Sequence, residues 1–255
     1  MDGHPISGFA IGFRGVPATT NRKSASAENG SSVTRAFQEL RELIVRGNLP
    51  PGAWIVESEI AERLGLSRTP IRGALQWLHR EGYVIEHKRN RKTRSVVAPL
   101  TLEDARELYS IVGHLEALAG TTVVALPRAR RAKLAEELDT LNEKLNIIAS
   151  QRPVDPRRVF DIDKEFHARI IAAGGGRRVT ALHDSVRPQV DRYWRLYASS
   201  IISELRVSVS EHGEIIRAIR KGESIAVKNA LERNWSGGYD RISRLIDIFG
   251  ERGSW

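Results

Sequence analysis

The chain has 255 residues, with 40 Lys and Arg against 31 Asp and Glu, a formal net charge of +9 and a pI near 10.1. A hydrophobic content of 41% excludes global disorder, and the absence of cysteine excludes disulfide scaffolds, thiol catalysis, Cys-ligated zinc and iron–sulfur clusters. No run approaches the roughly 20 apolar residues of a membrane span, and residues 1–17 hold Asp2 and His4 where a signal peptide would be positive, so a cytoplasmic protein with no membrane partner is expected.

Residues 1–32 are rich in Gly, Ser, Ala, Thr and Asn without helical or strand period and read as a flexible tail. From Val33 the pattern turns helical, with Val33, Phe37, Leu40, Ile44 and Val45 on one face. Gly47 is a helix stop, Leu49-Pro50-Pro51-Gly52 a turn and 53–56 a short extended stretch. A short helix is predicted over 57–64, a tight turn at Gly65, then Ser67 as the cap of a helix to Arg80. Tyr83-Val84-Ile85 and Ser95-Val96-Val97 are β-type runs flanking HKRNRKTR at 87–94, a hairpin with a charged tip. Thr101 opens a helix to about 125, and five more follow over 127–149, 156–173, 179–197, 203–221 and 224–249. The predicted fold is mainly α: a winged helix-turn-helix over 33–100, with a small β-hairpin wing, and an all-α antiparallel bundle over 101–250.

Charge follows this division. Residues 33–100 carry a net +5 and the longer 101–250 only +3, so the excess is densest in the smaller unit. Within 57–82, ESEIAERLGLSRTPIRGALQWLHREG, a helix, a turn with Gly65 and a second helix form a helix-turn-helix pattern. Ile71, Leu75 and Leu78 turn one face of the second helix inward, leaving Arg68, Thr69 and Arg72 outward near its start. Arginine there can bond guanine O6 and N7 or clamp a phosphate, and Ser67 can cap the helix and meet a phosphate. Lys88, Arg89, Arg91 and Lys92 on the wing suit the DNA backbone or minor groove.

Residues 36–100, with IVRGNLPPGAWIVESEIAERLGLSRTPIRGALQWLHREGYV, resemble the winged helix of the GntR family of bacterial transcriptional regulators. The resemblance implies operator contact by Ser67, Arg68, Thr69 and Arg72. The wing departs from the family pattern, since residues 90–94 lack the usual tip glycine. The all-helical second part, with LYSIVGHLE, DKEFHARI and EHGEIIRAIRKGE, resembles the FCD effector domain of the FadR-like branch.

Asp163 and His167 are one helical turn apart and share a face. His212 and Asn234 each lie eleven residues from Glu223, so an antiparallel hairpin sets them side by side. The four residues are a candidate site for one divalent ion such as Zn, Ni or Mn. The resemblance implies an Asp and three His there, with the metal gripping an effector carboxylate, and Asn234 stands where the third His is usual. Val112 and Gly176 replace an Arg and an Asn common in these domains. Arg187, Arg192 and Tyr193 are candidates to receive an anionic effector, while His114 and His183 read as ordinary bundle residues.

The sequence thus points to a homodimeric transcription factor, a repressor on near-palindromic double-stranded operator DNA, answering to a small, carboxylate-bearing metabolite. It is not expected to be an enzyme and has no candidate catalytic residue. Two alternatives remain: a metal-dependent enzyme, because Asp163, His167 and His212 also match a two-His-one-carboxylate triad, and an architectural DNA binder without effector.

Overall fold

The computed structural model describes residues 22–89 and 92–254. Helix α1 (Arg22–Val45) is followed by α2 (Glu57–Leu64), α3 (Arg68–Arg80) and the strands β1 (Val84–Arg89) and β2 (Lys92–Val97). The bundle comprises α4 (Leu102–Val124), α5 (Arg128–Ala149), α6 (Pro156–Gly174), α7 (Arg177–Ile201), α8 (Leu205–Lys221) and α9 (Ser224–Phe249). Helix α1 begins eleven residues before the expected Val33, which corrects the tail over 22–32; residues 1–21 lie outside the described ones. Apolar burial explains the core of α1 only from Ala36 onward, because its polar first half has no inward stripe to read.

The head is held by one apolar core. Phe37, Leu40 and Ile44 of α1 meet Ile71, Leu75 and Leu78 of α3, with Tyr83, Val84 and Val97 from the wing. Gly65 ends α2 in the left-handed conformation (φ 63°), a turn that favours glycine and lets α3 depart sharply. The strands pair antiparallel from Val84 opposite Val97 to Arg89 opposite Lys92. Trp54 adds an isolated bridge to Val96, so the predicted extended stretch lies along the outer strand.

In the bundle, α4 packs against α9, α7 and α6, while α5 packs against α8 and α6. One apolar cluster takes Ala117, Ala119 and Val123 from α4, and another takes Leu108, Tyr109 and Val112. Glu116 falls between them along the helix. Helices α8 and α9 form the expected antiparallel hairpin around Gly222.

Helix α7 and the segment after α9 join the two units. From α7, Gln189 donates to the Glu81 carbonyl and Arg192 to the Ala98 carbonyl. The Tyr193 hydroxyl accepts from the Thr101 amide (3.1 Å) and donates to Asp104 (2.8 Å). Beyond α9, Leu100 and Arg252 exchange both backbone hydrogen bonds, 2.8 and 3.1 Å. Gly253, at φ +76°, lies so close to Pro51 and Gly52 that a Cβ would meet their backbone at 2.4 to 2.8 Å. The chain's end is thereby strapped across the linker onto the head.

Candidate DNA-reading face and buried ligand centre

Helix α3 presents Arg68, Thr69 and Arg72 to solvent while Pro70, Ile71, Ala74, Leu75 and Leu78 are buried. The outward set at the helix start is therefore the one predicted. Ser67 occupies the cap position in an extended conformation, but its side chain makes no capping hydrogen bond. Arg72 donates from Nε to Glu57 Oε2 at 2.7 Å. On the wing, Lys88 is exposed, the backbones of Arg89 and Lys92 form the last strand pair, and Arg91 lies outside the described residues. The wing base is braced by Trp54, whose ring meets the His87 ring edge-on at 5.6 Å and lies under the Arg94 guanidinium at 5.4 Å. Backbone N–H groups at the start of α3 add to this positive, outward-facing edge.

The second centre lies inside the bundle. Asp163 and His167 on α6 and His212 on α8 converge, with one potential ligand atom from each within 4.8 Å of the others. His212 Nε2 lies 3.6 Å from Asp163 Oδ1, and its ring stacks on Phe166 at 3.9 Å. Among the described residues, neither His212 nitrogen has a hydrogen-bond partner although the residue is fully buried. Burial pushes its pKa down to about 3, which keeps the imidazole neutral, the form that ligates metal.

His167 is oriented from behind. Its Nδ1 lies 2.5 Å from Glu116 Oε2, leaving Nε2 as the nitrogen available for a ligand. A carboxylate behind a ligating histidine fixes its tautomer and raises its basicity. Glu116 also accepts from Trp235 Nε1 (2.9 Å), meets His183 Nε2 at 3.2 Å and pairs with Arg187 Nη1 at 3.7 Å. Burial alone would raise its pKa. The charge and hydrogen bond of His167, with His183 and Arg187, outweigh burial and hold the carboxyl well below the usual range.

Asn234 lines a cavity of about 60 Å³ together with Asp163, His167, Tyr109, Arg187, Asp191 and Arg241. Its amide nitrogen donates to Glu211 Oε2 at 2.9 Å, so its oxygen is the amide atom left for another partner. Glu211 is in turn gripped at both oxygens by Arg241, at 3.1 and 3.0 Å. The donor set, two imidazoles, a carboxylate and an amide oxygen, with an orphaned buried histidine among them, fits a divalent ion.

Of the expected effector residues only Arg187 reaches the cavity. It is paired with Asp191 (3.0 Å) and Asp163 (3.6 Å) and lies 4.9 Å above the Trp235 ring. Burial opposes its charge, but Asp191, Asp163 and Glu116 outweigh that cost and raise its pKa. Arg192 and Tyr193 do not line the cavity; they are the joint residues that hold Ala98, Thr101 and Asp104. Consecutive helical positions point about 100° apart, so Asp191 and Arg192 belong to opposite tasks.

His183 is likewise more than a bundle residue, because it meets Glu116, whereas His114 is a surface residue bonded to the Ser110 carbonyl at 2.7 Å. Glu116 is the functional residue that sequence reasoning missed. Its signal was present: a lone carboxylate on the same apolar stripe of α4 as Val112, Ala119 and Val123.

Comparison with known proteins matches a family model to each of the two units. Residues 33–92 match the family "Bacterial regulatory proteins, gntR family", and residues 107–236, about half of the chain, match the FCD domain. The chain is a GntR-family transcriptional regulator. Among relatives, it is 27% identical over 211 residues to an uncharacterized HTH-type transcriptional regulator of Streptomyces ambofaciens, spanning 82% of this chain and 84% of that one. It is 24% identical to the gluconate operon transcriptional repressor of Bacillus subtilis, spanning 84% and 86% of the two chains.

The fold of this GntR regulator is shared with McbR/YncC of E. coli, at a TM-score of 0.64 and 18% identity over 84% of this chain and 98% of that one. A GntR regulator from Rhodococcus sp. RHA1 aligns at 0.62 with 25% identity over the same shares. The family and the relatives are transcriptional regulators, which sets aside the enzyme alternative. No described helix is long and apolar enough to cross a membrane.

Proposed function

We propose that this GntR regulator is a homodimeric repressor of the FadR-like branch that acts in the cytoplasm on a near-palindromic operator. Ser67, Arg68, Thr69 and Arg72 enter the major groove, and Lys88, Arg89, Arg91 and Lys92 follow the backbone beside it. A small carboxylate-bearing metabolite occupies the bundle, together with one Zn, Ni or Mn ion held by Asp163, His167 and His212, with the Asn234 amide oxygen as a weaker fourth donor. A bound ion supplies a Lewis-acidic positive centre for the carboxylate. The gluconate repressor among the relatives supports repression over activation.

The observation that carries this reading is the orphaned, neutral His212 beside Asp163 and His167, two residues that line the cavity whose α7 wall also grips the head. Arg187 and Asp191 face the ligand, whereas Gln189, Arg192 and Tyr193 face Glu81, Ala98 and Thr101. A ligand that displaces α7 therefore moves the linker and the spacing of the two reading heads. The coupling is reciprocal, so operator DNA weakens effector binding by the same factor.

Metal analysis of the purified protein is expected to find one ion per chain, lost in His212→Ala. Gel shifts with Zn²⁺, Ni²⁺ and Mn²⁺, each with citrate and with gluconate, then test the coupling. DNA affinity that no metal and no bound carboxylate moves would refute regulation through the bundle.

A further inference from the structure

Two exposed arginines stand one turn apart on the outward face of α3, and the structure treats them differently. Arg68 has no ion pair among the described residues. Arg72 is tied across the helix-turn-helix to Glu57, the first residue of α2, by a 2.7 Å bond from Nε to Oε2, although 66% of its side chain is exposed. An exposed pair of this kind adds little to stability. A carboxylate on a surface that meets phosphates also repels the duplex. Its presence at that position therefore calls for a role in recognition.

The geometry points to Glu57 as a positioning residue that makes Arg72 the base-reading arginine of the pair. With Nε engaged, the guanidinium keeps Nη1 and Nη2, two N–H groups at the free end of a planar fork, and this end matches guanine O6 and N7. Anchoring the fork removes part of the rotamer entropy that a long, exposed arginine otherwise loses on binding. It also sets the angle at which the fork leaves the helix, and angle separates a bidentate base contact from a loose phosphate contact. The cost is one negative charge near the DNA, which lowers affinity for every sequence alike. Glu57 thus exchanges general affinity for discrimination. The inference rests on the reading of α3 as the recognition helix.

The test uses the full chain and a duplex that the wild type selects from a random-sequence pool, with its single-guanine variants and a scrambled duplex of the same length. Wild type, Glu57→Ala, Arg72→Ala and the double variant are titrated by fluorescence anisotropy. Glu57→Ala is expected to lose about tenfold on the selected duplex, and to bind the scrambled one unchanged or up to about threefold tighter. The double variant should discriminate no worse than Arg72→Ala alone, because the two residues act as one unit. Its melting temperature should stay within about 3 °C of wild type, as for loss of one helix-start charge.

Equal weakening on both duplexes, additive losses of discrimination, or a larger fall in melting temperature would overturn the positioning role. An Arg72→Ala variant that discriminates as wild type does would instead overturn the recognition-helix reading beneath it.

Discussion

The head and the bundle of this GntR regulator use arginine and carboxylate in opposite ways. On α3 the guanidinium groups stand in solvent, Arg68 without an ion pair among the described residues and Arg72 lightly held, and their electrostatic energy is realised only when a duplex arrives. In the bundle, Glu116, Arg187, Asp191 and the surrounding histidines are buried and already spend their charge on one another. Changes in the head should therefore alter binding and leave folding nearly intact. Changes in the bundle should alter folding first, because each removed partner strands another buried polar group.

That contrast can be broken or sharpened by substitution. The largest effect is expected from Glu116→Ala, which leaves His167, His183, Trp235 and Arg187 without their shared acceptor. Urea unfolding should lose about 3–5 kcal/mol, and a loss below about 1 kcal/mol would mean the buried network relaxes freely. Next, Arg72→Ala should cost about 1–3 kcal/mol on the operator and relax preference at one base pair, without a matching loss of stability. Uniform weakening on every duplex would make it a phosphate contact.

At the joint, Arg192→Ala should cost about 1 kcal/mol by freeing the buried Ala98 carbonyl, and should split the melting curve of head and bundle in calorimetry. A single unchanged transition would mean the Leu100–Arg252 strap suffices to couple them. The smallest change is expected from replacing Lys88, Arg89, Arg91 and Lys92 by Ala: the log–log salt slope of DNA binding should flatten by roughly one unit per lost contact. An unchanged slope would leave the wing tip out of the complex.

The two halves also differed in how much could be read from the chain. The helix-turn-helix was legible residue by residue, since a stripe at 71, 75 and 78 that is buried forces 68, 69 and 72 outward on any helix. Asp163 and His167 were legible for the same local reason, and the equal arms of the α8–α9 hairpin pointed to His212, which meets those two, and to Asn234, which shares their cavity. Glu116 was legible only as a carboxylate on an apolar stripe, since nothing nearby in sequence shows that helices α6, α7 and α9 all aim a donor at it. Nor did local pattern separate Arg187 from Arg192: both are arginines on one polar helix, and only the neighbours of α7 assign one to the cavity and the other to the linker.

Periodicity, capping residues and net charge were enough to specify two units, their order, and a basic face on the first, because those properties are settled within a few turns of chain. Who partners whom in the bundle centre, the early start of α1 and the return of Gly253 onto Pro51 belong to the folded molecule alone. Burial turns distant residues into neighbours and makes every unpaired polar atom costly, so those pairings exist only once the whole core has closed.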